Sequence, residues 1–121
     1  MDNGKVADWC NKLKSAWLDK DFGKIACIFA ETSSYYEEPF GEPGTTAGEI
    51  KSYWDEIIFQ DINCLLIEPM LVDGNKAILH WYLDYNDTRE SAQYVMDGIY
   101  AIEFNSANNC VSFKQWWVIK E

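Results

Sequence analysis

Positive charge is scarce in this sequence. Ten Lys and Arg residues stand against twenty Asp and Glu, which gives a formal net charge of −10 at pH 7. Such a surface repels phosphate groups, and no basic stripe along the chain offsets it. Nucleic acids and anionic membranes are therefore poor candidates for partners.

Patterns that bind metals or cofactors are also missing. The cysteines Cys10, Cys27, Cys64 and Cys110 are widely spaced without a CxxC pair, and His80 is the single histidine. Zinc sites need ligands clustered at short spacings, so we predict free, mostly buried thiols and no metal. The sequence contains no P-loop and no GxGxxG motif, so no cofactor is expected.

Long apolar runs are absent as well. No apolar segment approaches the roughly 20 residues of a membrane-spanning helix. The opening Met1-Asp2-Asn3-Gly4 lacks the basic and then apolar run of a signal peptide. Together these features predict a cytoplasmic protein.

Aromatic residues, by contrast, are abundant. The chain has six Trp, seven Tyr and six Phe, and 48% of its residues are hydrophobic, which excludes a disordered protein. Its 121 residues suffice for a single domain, 1–121, with one core. So many rings are hard to place in one small core, and some are expected to line a cavity or an interface.

The first half of the chain has helical periodicity. Apolar residues predict an amphipathic helix from about residue 5 to 19, and Asp21 can cap a second, shorter helix over Phe22, Ile25, Ala26, Ile28 and Phe29. Residues 32–37 predict a short strand that Pro39 ends. Thr46 and Glu49 form a capping box, which predicts a third helix. Its apolar face comprises Ile50, Tyr53, Trp54, Ile57 and Ile58.

The second half has a period of two, which is typical of strands. We predict four long antiparallel strands over about 64–72, 76–86, 92–104 and 110–119, with a hairpin turn at Asp73-Gly74. Helices followed by strands indicate the α+β class. Because both faces of this sheet are apolar, we expect the helices to cover one face and a second copy of the chain to cover the other, giving a homodimer.

The order of these elements resembles that of the nuclear transport factor 2-like superfamily, which includes SnoaL-like polyketide cyclases and ketosteroid isomerases. Three short motifs carry the resemblance, namely Ile28-Phe29-Ala30-Glu31, Tyr36-Glu37-Glu38-Pro39-Phe40-Gly41, and Asp97-Gly98-Ile99 with Phe104. The resemblance implies a cystatin-like cone, in which N-terminal helices pack on a curved antiparallel sheet around a pocket.

The resemblance also implies roles for individual residues. In ketosteroid isomerases the general base is an acidic residue just before the Pro of the second motif, and that position is Glu38. Neighbours on a strand alternate faces, so Glu37 is expected to point away. The position of one oxyanion-hole donor matches Tyr100, whereas the other falls on Leu13 or Lys14 and is therefore lost.

The hairpin after the third helix holds further candidates. Aligning its turn with the family directs Ile78, His80, Tyr82 and Asp84 toward the cavity, although a shift of one residue would turn them away. His80 titrates near neutral pH and is a candidate acid or base, or else a hydrogen-bonded core residue.

Aromatic and charged side chains complete the predicted ligand site. Its members are Trp17, Tyr36, Tyr53, Trp54, Tyr82, Asp84, Lys114 and Trp116. Tyr53, Trp54 and Trp116 form either pocket wall or plain core. A Lys114 facing the cavity would pair with Glu38 and lower the pKa of that carboxyl group, which argues against a base.

These residues favour one function and leave two others open. The first is binding of a small, largely apolar or carbonyl-containing molecule, with proton transfer of the isomerase, cyclase or dehydratase type by Glu38 while Tyr100 or His80 polarises a carbonyl. The second is a non-catalytic ligand-binding module. The third is a protein-interaction module that uses the sheet, since a fold alone does not fix a function.

Overall fold

The computed structural model describes residues 1–120 as three α-helices and a five-stranded sheet. The elements are α1 (Asn3–Leu18), α2 (Phe22–Ile28), β1 (Ser34–Tyr36), α3 (Ala47–Trp54), a 3-10 helix (Asp55–Phe59), β2 (Gln60–Asp73), β3 (Lys76–Asp87), β4 (Ala92–Phe104) and β5 (Cys110–Ile119). This order confirms the predicted α+β class. Among the described residues, every helix is too short or too polar to cross a membrane.

The sheet is mixed rather than purely antiparallel. Its strand order is β1-β5-β4-β3-β2, in which β2 to β5 form an antiparallel meander. The short β1 lies parallel to β5, with Ser34 opposite Ser112. It precedes α3 and the meander in the chain. Register shifts at Ile62/Cys64, Pro69/Leu71 and Glu103/Phe104 bend the strands, so the sheet is curved but not closed.

Each α-helix begins after a polar residue that caps it, at Asp21 and Thr46 as the sequence predicts and at Asp2, ahead of the predicted start near residue 5. The Asp2 and Asp21 carboxylates accept from the backbone N–H of Lys5 and Lys24 at 2.8 and 3.1 Å. Thr46 Oγ1 accepts from the backbone N–H of Glu49 at 3.2 Å. The Thr46 hydroxyl in turn donates to the Glu49 carboxylate at 3.0 Å, so the two side chains of the predicted capping box are hydrogen-bonded to each other.

Two predicted apolar positions prove to be exposed. Beyond Trp54 the chain continues as a 3-10 helix, whose tighter turn carries Ile58 off the apolar face while Ile57 stays buried. In α2, Ile25 and Phe29 are buried, whereas Ala26 faces solvent. The predicted inward orientation of Ile58 and Ala26 was therefore wrong.

The helices cover one face of the sheet, which we call the inner face. Phe29 at the end of α2 packs against the rings of Trp9, Tyr35, Trp54 and Phe113 at centroid distances of 6.1, 5.3, 5.7 and 5.3 Å. The opposite, outer face has no cover within the chain. Its exposed apolar side chains are Leu66, Leu71, Ile99, Trp116 and Val118.

A glycine on the inner face makes room for the indole of Trp81. Trp81 of β3 lies opposite Gly98 of β4, and its indole stacks on Tyr100 at 5.3 Å with the ring planes 12° apart. A Cβ at Gly98 would lie 2.6 Å from Trp81 Nε1 and 2.3 Å from the carbonyl oxygen of Trp116. Any side chain at this position would displace both Trp81 and the backbone of β5.

We therefore predict that Gly98→Ala destabilises the protein by about 2–3 kcal/mol, since overpacking a filled core forces its neighbours to move. Urea unfolding measures the loss. Gly48→Ala is the control, because a Cβ there meets nothing within 4 Å and α3 gains a better helix former. Equal stability of the two variants would show that Gly98 is not needed for packing.

Candidate functional site

A cavity of about 200 Å³ lies between the inner face and the helices. Its aromatic wall consists of Trp17, Tyr35, Tyr53, Trp54, Trp81, Tyr85 and Tyr100. Its polar lining consists of Glu37, Glu56, Gln60 and Gln115. Four residues that were predicted from sequence, namely Trp17, Tyr53, Trp54 and Tyr100, thus line one cavity.

The two neighbouring glutamates at the end of β1 face different spaces. Glu37 lines the cavity, whereas Glu38 lines a groove on the outer side together with Asp97 and Trp116. Both also line a third, smaller pocket next to Gln115 and Trp117. The predicted orientation of the pair is therefore reversed. Tyr35 is buried on the inner side, and alternation along the extended chain brings Glu37, two residues later, to that same side.

Glu37 has an environment that favours its protonated form. Partial removal from water raises the pKa of its carboxyl group, and the negative charges of Glu38 and Glu56 raise it further. The side-chain amide of Gln115 donates to the backbone carbonyl of Glu37, which ties the end of β1 to β5. Glu37 is thus a carboxyl group with a raised pKa, positioned at an aromatic cavity. No signal in the sequence distinguished it from Glu38 except the alternation from Tyr35.

The second carboxylate of the cavity, Glu56, forms an ion pair with an arginine that it shares with Asp87. Arg89 contacts Glu56 at 2.7 Å and also binds the buried Asp87 through its guanidinium group at 3.0 Å. The guanidinium carbon lies 4.1 Å from the ring centroid of Phe59, and the hydrogen bonds from Arg89 lower the pKa of Asp87. Glu56 is therefore held at the rim as half of an ion pair, while Glu37 has no such partner among the described ion pairs.

The buried polar atoms of the cavity wall differ in how well they are satisfied. The Trp17 indole N–H donates to Gln60 Oε1 at 2.8 Å. In the described part of the chain, the indole N–H groups of Trp54 and Trp81 have no acceptor. Trp54 approaches the Tyr35 hydroxyl without reaching hydrogen-bond geometry. Burial raises the pKa values of Tyr35 and Tyr100, so both phenols stay protonated.

The remaining predicted residues lie on the outer face. They are Tyr36, His80, Tyr82, Asp84, Lys114 and Trp116, and Ile78 lies with them. In β3 the alternate set Ala77, Leu79, Trp81, Leu83 and Tyr85 faces inward. The predicted register of this hairpin was thus shifted by one residue. Its inward set holds no charged residue, whereas the outward set includes His80 and Asp84, and this contrast was the available signal.

The side chains of the outer face contact one another, and these contacts do not involve the residues that line the cavity. Lys114 Nζ lies 5.1 Å from the ring centroids of both Tyr36 and Trp116, and the expected ion pair with Glu38 is not formed in the described part of the chain. The Asp84 carboxylate accepts from Asn63 and Gln93 at 3.1 and 2.8 Å. These contacts make the outer face an ordered surface of rings and paired charges.

His80 bridges two carboxylates from the neighbouring strands. Its Nδ1 lies 3.2 Å from Glu68 on β2 and its Nε2 lies 3.0 Å from Asp97 on β4. Partial burial lowers the pKa of His80, but the two carboxylates outweigh this effect and leave the pKa raised above 6.5. Both ring nitrogens have acceptors, so the imidazolium joins three strands.

We predict that His80 stabilises the fold more at acidic than at alkaline pH. Because its folded-state pKa is raised, the stabilisation is fully present below pH 6.5 and is lost as the pH rises through the folded-state value. His80→Gln keeps hydrogen bonds but cannot titrate. The difference in unfolding free energy between wild type and His80→Gln should be about 1 kcal/mol larger at pH 5.5 than at pH 8.5. A difference independent of pH would contradict this.

Comparisons with known proteins identify the fold but do not identify an activity. No family model and no curated protein matches the sequence. Among solved structures, a candidate isomerase from Bacillus subtilis has a TM-score of 0.76 at 16% identity, covering 98% of this chain and 90% of its own. A candidate SnoaL-like polyketide cyclase from Mesorhizobium loti has a TM-score of 0.63 at 14% identity, covering 92% and 97%. A nuclear transport factor 2-like protein of unknown function from Burkholderia pseudomallei has a TM-score of 0.72 at 11% identity, covering 98% and 92%.

Proposed function

We propose that this chain, which has the nuclear transport factor 2-like fold, binds a small and largely apolar carbonyl compound in its aromatic cavity and that Glu37 moves a proton on it. The observation that carries the proposal is the position of Glu37, a carboxyl group with a raised pKa that borders a cavity walled by rings. The similar folds of a candidate isomerase and a candidate polyketide cyclase support this class of chemistry.

The proposed reaction is abstraction of a proton next to a carbonyl. The Glu37 carboxylate takes the proton, the electron pair of the C–H bond becomes the new C=C bond, and the carbonyl π electrons move to oxygen as an enolate. Return of the proton to another carbon gives an isomer, and attack of the enolate carbon on a second carbonyl gives an aldol-type ring. No oxidant, reductant or metal takes part in either sequence. A carboxyl pKa raised toward neutrality improves such a base at physiological pH.

The cavity limits the size and the charge of the ligand. Its volume of about 200 Å³ lies below the range of roughly 300–1,000 Å³ that is typical of drug-sized ligands, which indicates a molecule of about one ring. Glu37 and Glu56 at its border disfavour an anion. The substrate class is therefore a neutral carbonyl compound of about one ring.

Loss of the Glu37 carboxylate should abolish proton transfer while sparing binding. With a panel of neutral one-ring ketones in D₂O, we expect Glu37→Gln to slow deuterium exchange at the α-carbon at least 100-fold, which is the usual contribution of a general base. NMR of the ketone measures the exchange rate, and its line broadening measures binding.

Glu38→Gln is the matched control, one residue along and facing the outer groove. It should lower the exchange rate far less than Glu37→Gln does, to within about tenfold of wild type, because the Glu37 carboxylate remains and only one of the charges that raise its pKa is lost. Loss of exchange in Glu38→Gln alone would move the base role to Glu38, as the sequence motif suggests. Binding without any exchange by the wild type would favour the non-catalytic ligand-binding module.

We also propose that the outer face of the sheet joins two copies of the chain. Ile99, Trp116 and Val118 expose 36, 42 and 69% of their surface on this face, and no helix covers it. A contiguous apolar surface of this kind is typical of an interface. The rings around Lys114 and the charges around His80 would then lie at or beside the contact.

A lysine at the most exposed apolar position of this face should separate the copies. We expect Val118→Lys to halve the mass measured by sedimentation equilibrium, because burying an unpaired charge in the interface is costly. The added positive charge by itself reduces the repulsion between two acidic chains, so repulsion would not account for a separation. Ile58→Lys is the control, because Ile58 is 53% exposed but lies away from the sheet. A wild type that is monomeric at all concentrations would refute the interface.

A further inference from the structure

The turn between β3 and β4 contacts the 3-10 helix at three points. The backbone N–H of Thr88 donates to the carbonyl oxygen of Phe59 at 2.9 Å. The guanidinium carbon of Arg89 lies 4.1 Å from the ring centroid of Phe59, and its Nη2 lies 2.7 Å from the Glu56 carboxylate. The 3-10 helix follows α3 directly, and both elements contribute residues to the cavity wall. The turn therefore fixes one side of the cavity.

Arg89 is itself held in place by a buried carboxylate. Asp87 is 4% exposed and accepts from Arg89 Nε at 3.3 Å and from Arg89 Nη2 at 3.0 Å, a two-point contact that orients the guanidinium plane. Asp87 also accepts from the backbone N–H of Arg89 at 2.8 Å. The nitrogen that contacts Asp87, Nη2, is the one that contacts Glu56. One oriented cation thus determines where the Glu56 carboxylate lies.

The position of Glu56 matters because Glu56 lines the same cavity as Glu37. Partial removal from water is the largest cause that raises the pKa of Glu37, followed by the charges of Glu38 and of Glu56. The other titratable groups of the cavity wall are the phenols of Tyr35, Tyr53, Tyr85 and Tyr100. Phenols carry no charge near neutral pH. The ionisation of Glu37 therefore depends in part on how much of the Glu56 charge is compensated.

We propose that Arg89 is a positioning residue for the base: by holding and compensating the Glu56 carboxylate at the rim, it sets the fraction of Glu37 that is ionised and able to take a proton. This inference rests on the proposed function of the cavity. Arg89 does not line the cavity, so it acts through Glu56. Without the cation, the uncompensated charge of Glu56 would raise the pKa of Glu37 further, since like charges disfavour ionisation.

The carboxyl carbon of Glu37 gives a direct test. In ¹³C spectra of the whole chain with labelled glutamate, the Glu37 signal is identified by its loss in Glu37→Gln, and its shift is followed against pH without any ligand. The midpoint of this titration should fall in Glu56→Gln and rise in Arg89→Gln. Arg89→Lys keeps the positive charge and should stay near the wild-type midpoint. A residue that only stabilised the fold would not move the midpoint in opposite directions with its partner.

The double variant tests whether Arg89 acts through Glu56. Arg89→Gln should raise the Glu37 midpoint much less in Glu56→Gln than in wild type, because the charge that it would leave uncompensated is already absent. An equal rise in both backgrounds would overturn the proposal. An unmoved midpoint in Glu56→Gln would also overturn it, and this variant is independent of the buried Asp87 because the Glu56 side chain is 64% exposed.

Asp55→Asn is the matched control for Glu56→Gln. Asp55 is an exposed carboxylate of the same 3-10 helix, one residue before Glu56, and does not line the cavity. Its loss should move the Glu37 midpoint less than Glu56→Gln does, because water screens a charge that faces solvent. An equal shift in both variants would show that net charge, rather than the position of Glu56, controls Glu37, and would overturn the proposal.

Failure here can be told apart from failure of the proposed base. With cyclohexanone in D₂O below the Glu37 midpoint, deuterium exchange should be about two- to threefold slower in Arg89→Gln and about two- to threefold faster in Glu56→Gln, the size expected for one screened charge. Shifted midpoints without exchange in the wild type would leave the role of Arg89 standing and remove the proton transfer. Exchange that depends on Glu37, with unmoved midpoints, would do the reverse.

Discussion

The packing of the aromatic rings inside this protein depends on the contact between Trp81 and Gly98. Because Gly98 has no side chain, the indole of Trp81 can cross β4 and stack on Tyr100, which in turn packs against Phe113 at 4.6 Å. Trp81 and Tyr100 line the cavity on the side of the sheet, and Trp17 and Trp54 line it on the side of the helices. A hollow of about 200 Å³ persists because the rings around it stack on one another, as Trp81 does on Tyr100, or meet edge to face, as Trp17 does with Trp54, and would lose these contacts by collapsing into it.

The two faces of the sheet carry different kinds of side chain. The inner face carries rings, buried phenols and the unpaired indole donors, with one carboxyl group of raised pKa at the mouth. The outer face carries the charged residues of the hairpin, which are paired across strands by His80 and by Asp84. A charge in the aromatic interior would be costly unless it were paired, which explains why His80 and Asp84 of β3 face outward.

Much of the architecture could be predicted from the sequence, because the local signals agree with one another. The predicted caps Asp21 and Thr46 begin two of the helices, and the predicted turn at Gly74, where φ is +60°, joins β2 and β3. Orientation was harder. In β3 both alternate sets are rich in apolar residues, so periodicity fixed the strand but not which face meets the helices. The motif before Pro39 drew attention to Glu38, whereas packing of Tyr35 against Phe29 and Phe113 determines that Glu37 turns inward.

The pairing of β1 with β5 has an evolutionary consequence. Only three residues, Ser34 to Tyr36, attach β1 to the sheet, and two glutamates follow in succession. Deletion of a single residue in the loop before Ser34 would slide this short strand by one step and bring Glu38 to the position that Glu37 holds at the hollow. A lineage carrying both would keep an acid at the mouth through such a slip, so adjacent carboxylates make the site tolerant of changes in loop length.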